Sequence, residues 1–316
     1  MSGVLTGFVV VAAVVAVGYA LGRTGVLGPG AQTVVSRLVF FVGTPALLVR
    51  TLAGTEPAEL LSAQVGVTAA GVAACALLWW PVARWWLRLG ARELVVGALG
   101  SSYVNAVNIG LPVAAYVLGD LTAVLPALLL QLVVLTPVAL AVLDVLQPPP
   151  AGAPGAPARR GARARRLLAP LANPVLLASA AGLALTLTGT SLPTALDRPL
   201  ELLAGLSVPG ALLAFGMSLH GRVATGLARR DVLLATGLKS LVQPAATYAA
   251  ARWGFGLDAA AVHAATVVAA LPTAQNVFTF AVRYDAGREL ARDTVLLTTV
   301  LCVPVVLLVG VLVPGG

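Results

Sequence analysis

"NAVNIGLP" (residues 105–112) packs two asparagines, a glycine and a proline into eight positions. The run sits inside "LVVGALGSSYVNAVNIGLPVAAYVLG" (94–119), a stretch long and apolar enough to cross a bilayer. Pro112 cannot donate a backbone hydrogen bond and disfavours helix at Leu111, while Gly110 relaxes the backbone. A helix carrying them is expected to break near the bilayer midplane. In lipid each unpaired backbone group costs several kcal/mol, so a break survives only where protein or a water-filled cavity satisfies the freed groups. The fold turns on whether this break is a lone kink or one of a matched pair.

The rest of the chain is built for a membrane. Of 316 residues, 59% are hydrophobic and 10% charged, with a mean hydropathy of +0.96, which excludes a water-soluble domain. The net charge of +8 does not point to nucleic acid, because the basic residues lie in short loops between apolar runs. Cys75 and Cys302 lie in apolar runs far apart in sequence, with no disulfide framework or metal motif, and read as buried inert thiols. The first apolar run (3–21) lacks a positive n-region and a cleavage site, and is expected to be a retained span.

Windows of about 19 residues pick out ten segments: 3–21, 34–53, 63–84, 94–119, 122–146, 170–188, 199–219, 231–251, 258–282 and 294–313. With the N-terminus outside, sixteen arginines fall on the inner side and only Arg50, Arg198 and Arg252 on the outer. This bias predicts an inner-membrane protein with both termini outside the cytoplasm. Trp79, Trp80, Trp85 and Trp86 fall at an inner boundary, where aromatic rings favour the headgroup layer. The connection "QPPPAGAPGAPARRGARARR" (147–166) is too rich in Pro, Gly and Arg for a packed core and is expected to be a cytoplasmic linker.

The two sides of that linker repeat each other. "GYALGRTG" (18–25) answers to "GLALTLTG" (182–189), and "TPALL" (44–48) to "VPGALL" (208–213). Pro81 matches Pro244, "GLPVA" (110–114) matches "ALPTA" (270–274), and "LVVLTPVAL" (132–140) matches "TVLCVPVVL" (299–307). The matches keep one order, with offsets between 160 and 167 residues. They divide the chain into a five-helix repeat over 1–146, the linker 147–166 and a second five-helix repeat over 167–316. An odd number of spans per repeat inverts one half relative to the other, the arrangement many carriers use for alternating access.

Pro272, beside Leu271, places a second break at the position that matches Pro112. Asn105, Asn108, Gln275 and Asn276 lie within a few residues of the two breaks, and Ser101, Ser102, Tyr103 and Thr273 are close by. A lone Pro–Gly kink with amides gluing helices together is the plain reading of one such span. Two breaks at matched positions of an inverted repeat favour a substrate site, since half-helix ends and freed amides bind ions and anions.

Lys239, the single lysine of the chain, lies about nine residues, roughly 13 Å, inside its span. A cation there costs about 2.5–3.5 kcal/mol on insertion scales. No carboxylate is placed at comparable depth, so an anionic substrate, backbone carbonyls or a neutral amine are the candidate partners. His263 reads as an interfacial hydrogen-bonding residue. There is no cofactor motif, no Ser/His/Asp set and no HExxH motif, which disfavours an enzyme.

The ordered set "NIGLP" (108–112), "VPGALLAFGMSL" (208–219), "LKSLVQP" (238–244) and "ALPTAQNVFTFAVRYD" (270–285) resembles the auxin efflux carrier family in its short bacterial form, over essentially the whole chain. The resemblance implies ten helices in a fold similar to bile acid sodium symporters, with the broken fourth and ninth helices crossing at the substrate site. It implies a transport domain of spans 3–5 and 8–10, and a scaffold of spans 1, 2, 6 and 7 that forms a homodimer. The crossover prolines map to Pro112 and Pro272, and the site asparagines to Asn108 and Asn276. The expected function is elevator-like transport of small organic anions, carboxylates or auxin-like acids, with Asn105, Asn108, Gly110, Pro112, Pro272, Gln275, Asn276 and Lys239 at the site. The rival reading is a sodium-coupled symporter of the bile acid type, although the chain lacks the acidic residues that help bind sodium there. A membrane-embedded enzyme or a channel is further off.

Overall fold

The computed structural model describes residues 2–58, 62–110, 113–147, 173–220 and 229–313; most of the linker over 147–166 and both Leu111 and Pro112 lie outside them. The described chain is all helical, with no strand beyond a single isolated bridge. The main helices are α1 (Ser2–Thr24), α2 (Ala31–Ala53), α3 (Ala63–Trp86), α4 (Ala91–Gly100), α5 (Thr122–Val145), α6 (Pro174–Thr188) and α7 (Thr194–Ser218). They are followed by α8 (230–254), α9 (Ala259–Ala269), α10 (Asn276–Tyr284) and α11 (Arg288–Leu312). Five of them, α2, α3, α5, α7 and α11, are long and apolar enough to cross a membrane.

Several of these helices run through proline, and the way they do so is regular. Proline removes one backbone donor and pushes its ring against the preceding turn. In α2, α5 and α8 a π-helical turn, Val39–Gly43, Gln131–Leu135 and Leu238–Val242, immediately precedes Thr44–Pro45, Thr136–Pro137 and Gln243–Pro244. The wider turn makes room for the ring without ending the helix. Continuity is kept at the expense of local geometry.

Packing divides the helices into two sets. α1 lies along α7, α2 lies along both α6 and α7, while α8 and α9 contact each other and each contacts both α3 and α11. The first set is joined through small residues. A Cβ on Gly22 would stand 2.9 Å from the Met217 carbonyl oxygen, and one on Gly43 would stand 2.9 Å from the Ser207 nitrogen. Only glycine permits backbones that close, a contact mode common where lipid offers no hydrophobic drive. The Thr186 hydroxyl donates to the Leu52 carbonyl at 2.6 Å, and Arg50 pairs with Asp197 at 2.7 Å, fixing α6 and α7 to α2. The largest apolar core brings Phe40, Leu48 and Leu52 of α2 and Phe215 of α7 against Leu99, Leu129, Phe278 and Phe280.

Two expectations are corrected. Trp79 is not a headgroup anchor: it is wholly buried and its indole N–H donates to the Leu94 carbonyl at 2.9 Å, while Trp80, Trp85 and Trp86 are exposed. Gly97 lies against the Trp79 ring, which explains why the ring fits inside. The break in the fourth segment also falls earlier than Gly110–Pro112: the helix ends at Gly100, and the chain turns and extends over Ser101–Asn105 before a π-helical turn, Ala106–Gly110. Ser101 and Ser102 both donate their hydroxyls to the Ala98 carbonyl, at 3.0 and 2.7 Å, a local bond that competes with helix continuation.

Candidate functional site

The second break lies where Pro272 leads one to expect it, between the end of α9 at Ala269 and the start of α10 at Asn276. The two non-helical segments meet. Val104 and Thr273 form an antiparallel bridge, Asn105 N–H donates to the Pro272 carbonyl at 2.8 Å, and Ala274 N–H donates to the Tyr103 carbonyl at 3.1 Å. Each broken helix thus supplies what the other has lost.

The neighbouring helices satisfy the remaining groups in matched fashion. Val104 N–H donates to Gln131 Oε1 of α5, and Thr273 N–H donates to Thr298 Oγ1 of α11 at 3.1 Å. The carbonyls that end α4 are also met: Thr273 Oγ1 donates to Gly100 at 2.6 Å, and Gln243 Nε2 donates to Ser102 at 2.8 Å. At the end of α9, Lys239 Nζ donates to the Ala269 carbonyl at 2.8 Å. Lys239 and Gln243 sit one turn apart on α8, across its π-helical turn, so one helix face tends both half-helix ends. Gln131, Gln243, Thr298 and Thr136, which binds the Tyr103 hydroxyl at 2.8 Å, went unnoticed in the sequence. Their signal is a polar side chain deep in an apolar span, directly before a proline (Thr136, Gln243) or six residues before one (Gln131, Thr298).

At the crossing, Asn105 Nδ2 donates to Gln275 Oε1 at 2.9 Å, with Asn105 2% and Gln275 1% exposed. A cavity of about 40 Å³ lies beside this pair. Tyr103, Asn105, Gln131, Gln275 and half-buried Asn276 line one side, and Leu47 of α2 with Ser207 and Val208 of α7 line the other. Its volume holds about one water. Among the described residues no Asp, Glu, Lys, Arg or His lines it, so polarity there comes from amides, hydroxyls and the positive end of α10. Gly110 is buried beside Leu271 and Val124; the side chain of Asn108 and the whole of Pro112 lie outside the described residues.

Lys239 does not line the cavity. It is 0% exposed and lies behind the crossing, bonded to backbone. Buried carboxylates do exist, near the ends of their helices. Asp293 is wholly buried and paired with Arg292 at 2.6 Å, and Asp144 accepts from Asn173 at 2.8 Å and from Tyr284 at 2.9 Å. Each carries its own partner, which is how a charged group persists inside a helix bundle. Among the described residues no three His, Cys, Asp or Glu side chains gather to hold a metal, and Cys75 and Cys302 are buried and free.

A larger cavity, about 810 Å³, opens between the first turns of α3 and α9 and the start of α5. Thr122, Leu125, Pro126 and Leu129 of α5 line it, whereas Leu128, Gln131 and Leu132 line the small one. These spacings place the two cavities on different faces of α5. Asp120 and Asp258 stand at the larger mouth, each bound to its own backbone, and the Thr122 hydroxyl and amide hold the Asp120 carboxyl below its usual range. His263 there meets the Val313 carbonyl through Nδ1, in keeping with a hydrogen-bonding role.

Known proteins share this sequence pattern. The family model described as "Membrane transport protein" matches residues 4–153 and 163–309. A protein of Rhizobium meliloti (strain 1021), described as "Putative malonate transporter", is 32% identical over 134 residues. The aligned stretch spans 42% of this chain and 42% of that relative.

Proposed function

Because the chain belongs to the membrane transport protein family, in keeping with its likeness to auxin efflux carriers, we propose that it is a secondary carrier for small organic anions. Carboxylates such as malonate, or auxin-like acids, cross the inner membrane by elevator-like alternating access; the chain is not an enzyme. The observation that carries this reading is the antiparallel crossing of two broken helices, with a buried amide pair beside a cavity walled by α2 and α7. Broken helices are tolerated in a membrane only where they are buried in protein or line a water-filled cavity, and half-helix ends are how carriers hold ions and anions.

The proposed architecture is ten spans in two inverted repeats. α4 with the turns after it makes the fourth span, and α9 with α10 makes the ninth. The matched bonds from Val104 to Gln131 and from Thr273 to Thr298 support it, since the acceptors differ by 167 residues and the donors by 169, close to the 160–167 of the sequence repeat. α1, α2, α6 and α7 form the scaffold, through which two copies pair, and the rest move with the crossing. Asn105, Asn108, Gln275 and Asn276 contact the substrate. Pro272 shapes the second break, Gly110 and Pro112 follow the first by a few residues, and the amino end of α10 offsets anionic charge. A cavity for one water is a collapsed site, so substrate entry requires the crossing to move away from α2 and α7.

The test is the melting temperature of the detergent-purified protein against malonate, malate and indole-3-acetate. A ligand at about 100 times its Kd adds about 2.7 kcal/mol to the folded state. One acid is expected to raise the melting temperature in the wild type and to lose that effect in Asn105→Ala and Asn108→Ala. No shift with any acid would overturn the organic-anion assignment. A shift that survives both substitutions would overturn the site.

A further inference from the structure

We infer that Lys239 is a tethered cation that holds the place of a coupling ion at the end of α9, so that the crossing closes without sodium. The inference rests on the carrier reading above and adds the mode of coupling.

Carriers with broken helices coordinate their sodium ions or protons through unwound carbonyls and the carboxyl ends of half-helices. Those ends carry the negative pole of the helix dipole. This chain has two of them at one crossing, and it treats them differently. The carbonyls ending α4, at Gly100 and Ser102, receive neutral donors from Thr273 and Gln243. The carbonyl ending α9, at Ala269, receives the ammonium of Lys239. The same face of α8 supplies both Lys239 and Gln243, so the difference is one of charge at otherwise similar positions.

Three further observations fit a resident cation and not a counter-charge for substrate. Lys239 is 0% exposed and absent from the lining of the crossing cavity, where a substrate carboxylate would sit. It makes no ion pair with Asp or Glu among the described residues, and the ionisable groups it faces are the thiols of Cys75 and Cys302. A primary ammonium, compact and with three donors, resembles a small cation more closely than a guanidinium does. The chain uses arginine at every other basic position and lysine here.

The experiment compares wild type, Lys239→Ala and Lys239→Met in sodium chloride and in choline chloride at equal ionic strength, by melting temperature and by uptake of malonate, malate and indole-3-acetate into proteoliposomes. The wild type is expected to melt alike and to transport alike in both salts. Lys239→Met, which keeps the bulk and loses the charge, is expected to lose uptake by roughly tenfold, the scale of one unpaired buried carbonyl. Lys239→Ala, which opens a space against Ala269, is expected to recover melting temperature and uptake with sodium ion or ethylamine, and not with choline. A merely structural lysine would show no such ion-specific rescue. Sodium-dependent melting or uptake in the wild type, or full uptake by Lys239→Met in choline, would overturn the inference. If Lys239→Ala does not fold, those wild-type and Lys239→Met outcomes decide alone. Wild-type protein that transports none of the acids, while Lys239→Ala still shows the sodium- or ethylamine-specific rise in melting temperature, would sink the carrier reading and leave the tethered cation standing.

Discussion

At the scale of single residues, the site is an exercise in keeping the backbone paired where helices end. Thr273 does two things at once: its N–H donates to Thr298, and its hydroxyl donates to the Gly100 carbonyl. Thr273→Val keeps the shape and the first bond, and strands the carbonyl in a buried setting, at a cost of about 1–3 kcal/mol. Thr273→Ser, which keeps the hydroxyl, is expected to lose much less. Thermal unfolding of the two variants checks this; equal melting temperatures would mean that the hydroxyl bond does not hold α4 to the crossing. The sequence announces some of this and hides the rest. Asn105, Gln275 and Pro272 are legible because amides and a proline stand out in an apolar run. Lys239 is equally conspicuous, yet its depth says nothing of its direction, and only the fold turns it from the crossing cavity toward the end of α9. Gln131 and Thr298 are ordinary polar residues until the bridge between Val104 and Thr273 gives them a task.

At the scale of elements, glycine and proline mark where helices touch and where they bend. Gly43 meets the α7 backbone at Ser207, while Gly310 of α11 has nothing within 4 Å of where a Cβ would lie. Gly43→Ala therefore has to push two helices apart, and overpacking of this kind costs about 1–3 kcal/mol. Gly310→Ala is expected to leave stability unchanged. Denaturation in a common detergent separates the two; parity between them would mean that the α2–α7 contact adjusts freely. The proline pattern is legible in sequence as kinks, but its outcome is not. Three prolines pass through their helices behind a π-helical turn. The fourth segment breaks instead at Ser101–Asn105, upstream of the Gly110 and Pro112 that signal a break. Tertiary pairing with the ninth segment accompanies the break at this place, where the bridge between Val104 and Thr273 joins the two non-helical stretches.

At the scale of the whole molecule, charge predicts which way the chain faces. Sixteen arginines against three predict that the 88–92 loop lies inside and the 190–193 loop outside. Both Arg88 and Ser191 are exposed, and both native cysteines are buried, so introduced cysteines can report sidedness without background from Cys75 or Cys302. On intact cells, a membrane-impermeant maleimide is expected to label Ser191→Cys and to spare Arg88→Cys until the membrane is opened. The reverse pattern would invert the orientation, and with it the side to which the larger cavity between α3, α5 and α9 opens. In the expected orientation the first turns of α3 and α9 lie outside, so that cavity faces outward while the crossing is shut against α2 and α7. Labelling of Ser191→Cys thus bears on more than topology. It decides whether the acidic mouth formed by Asp120 and Asp258 meets the medium or the cytoplasm.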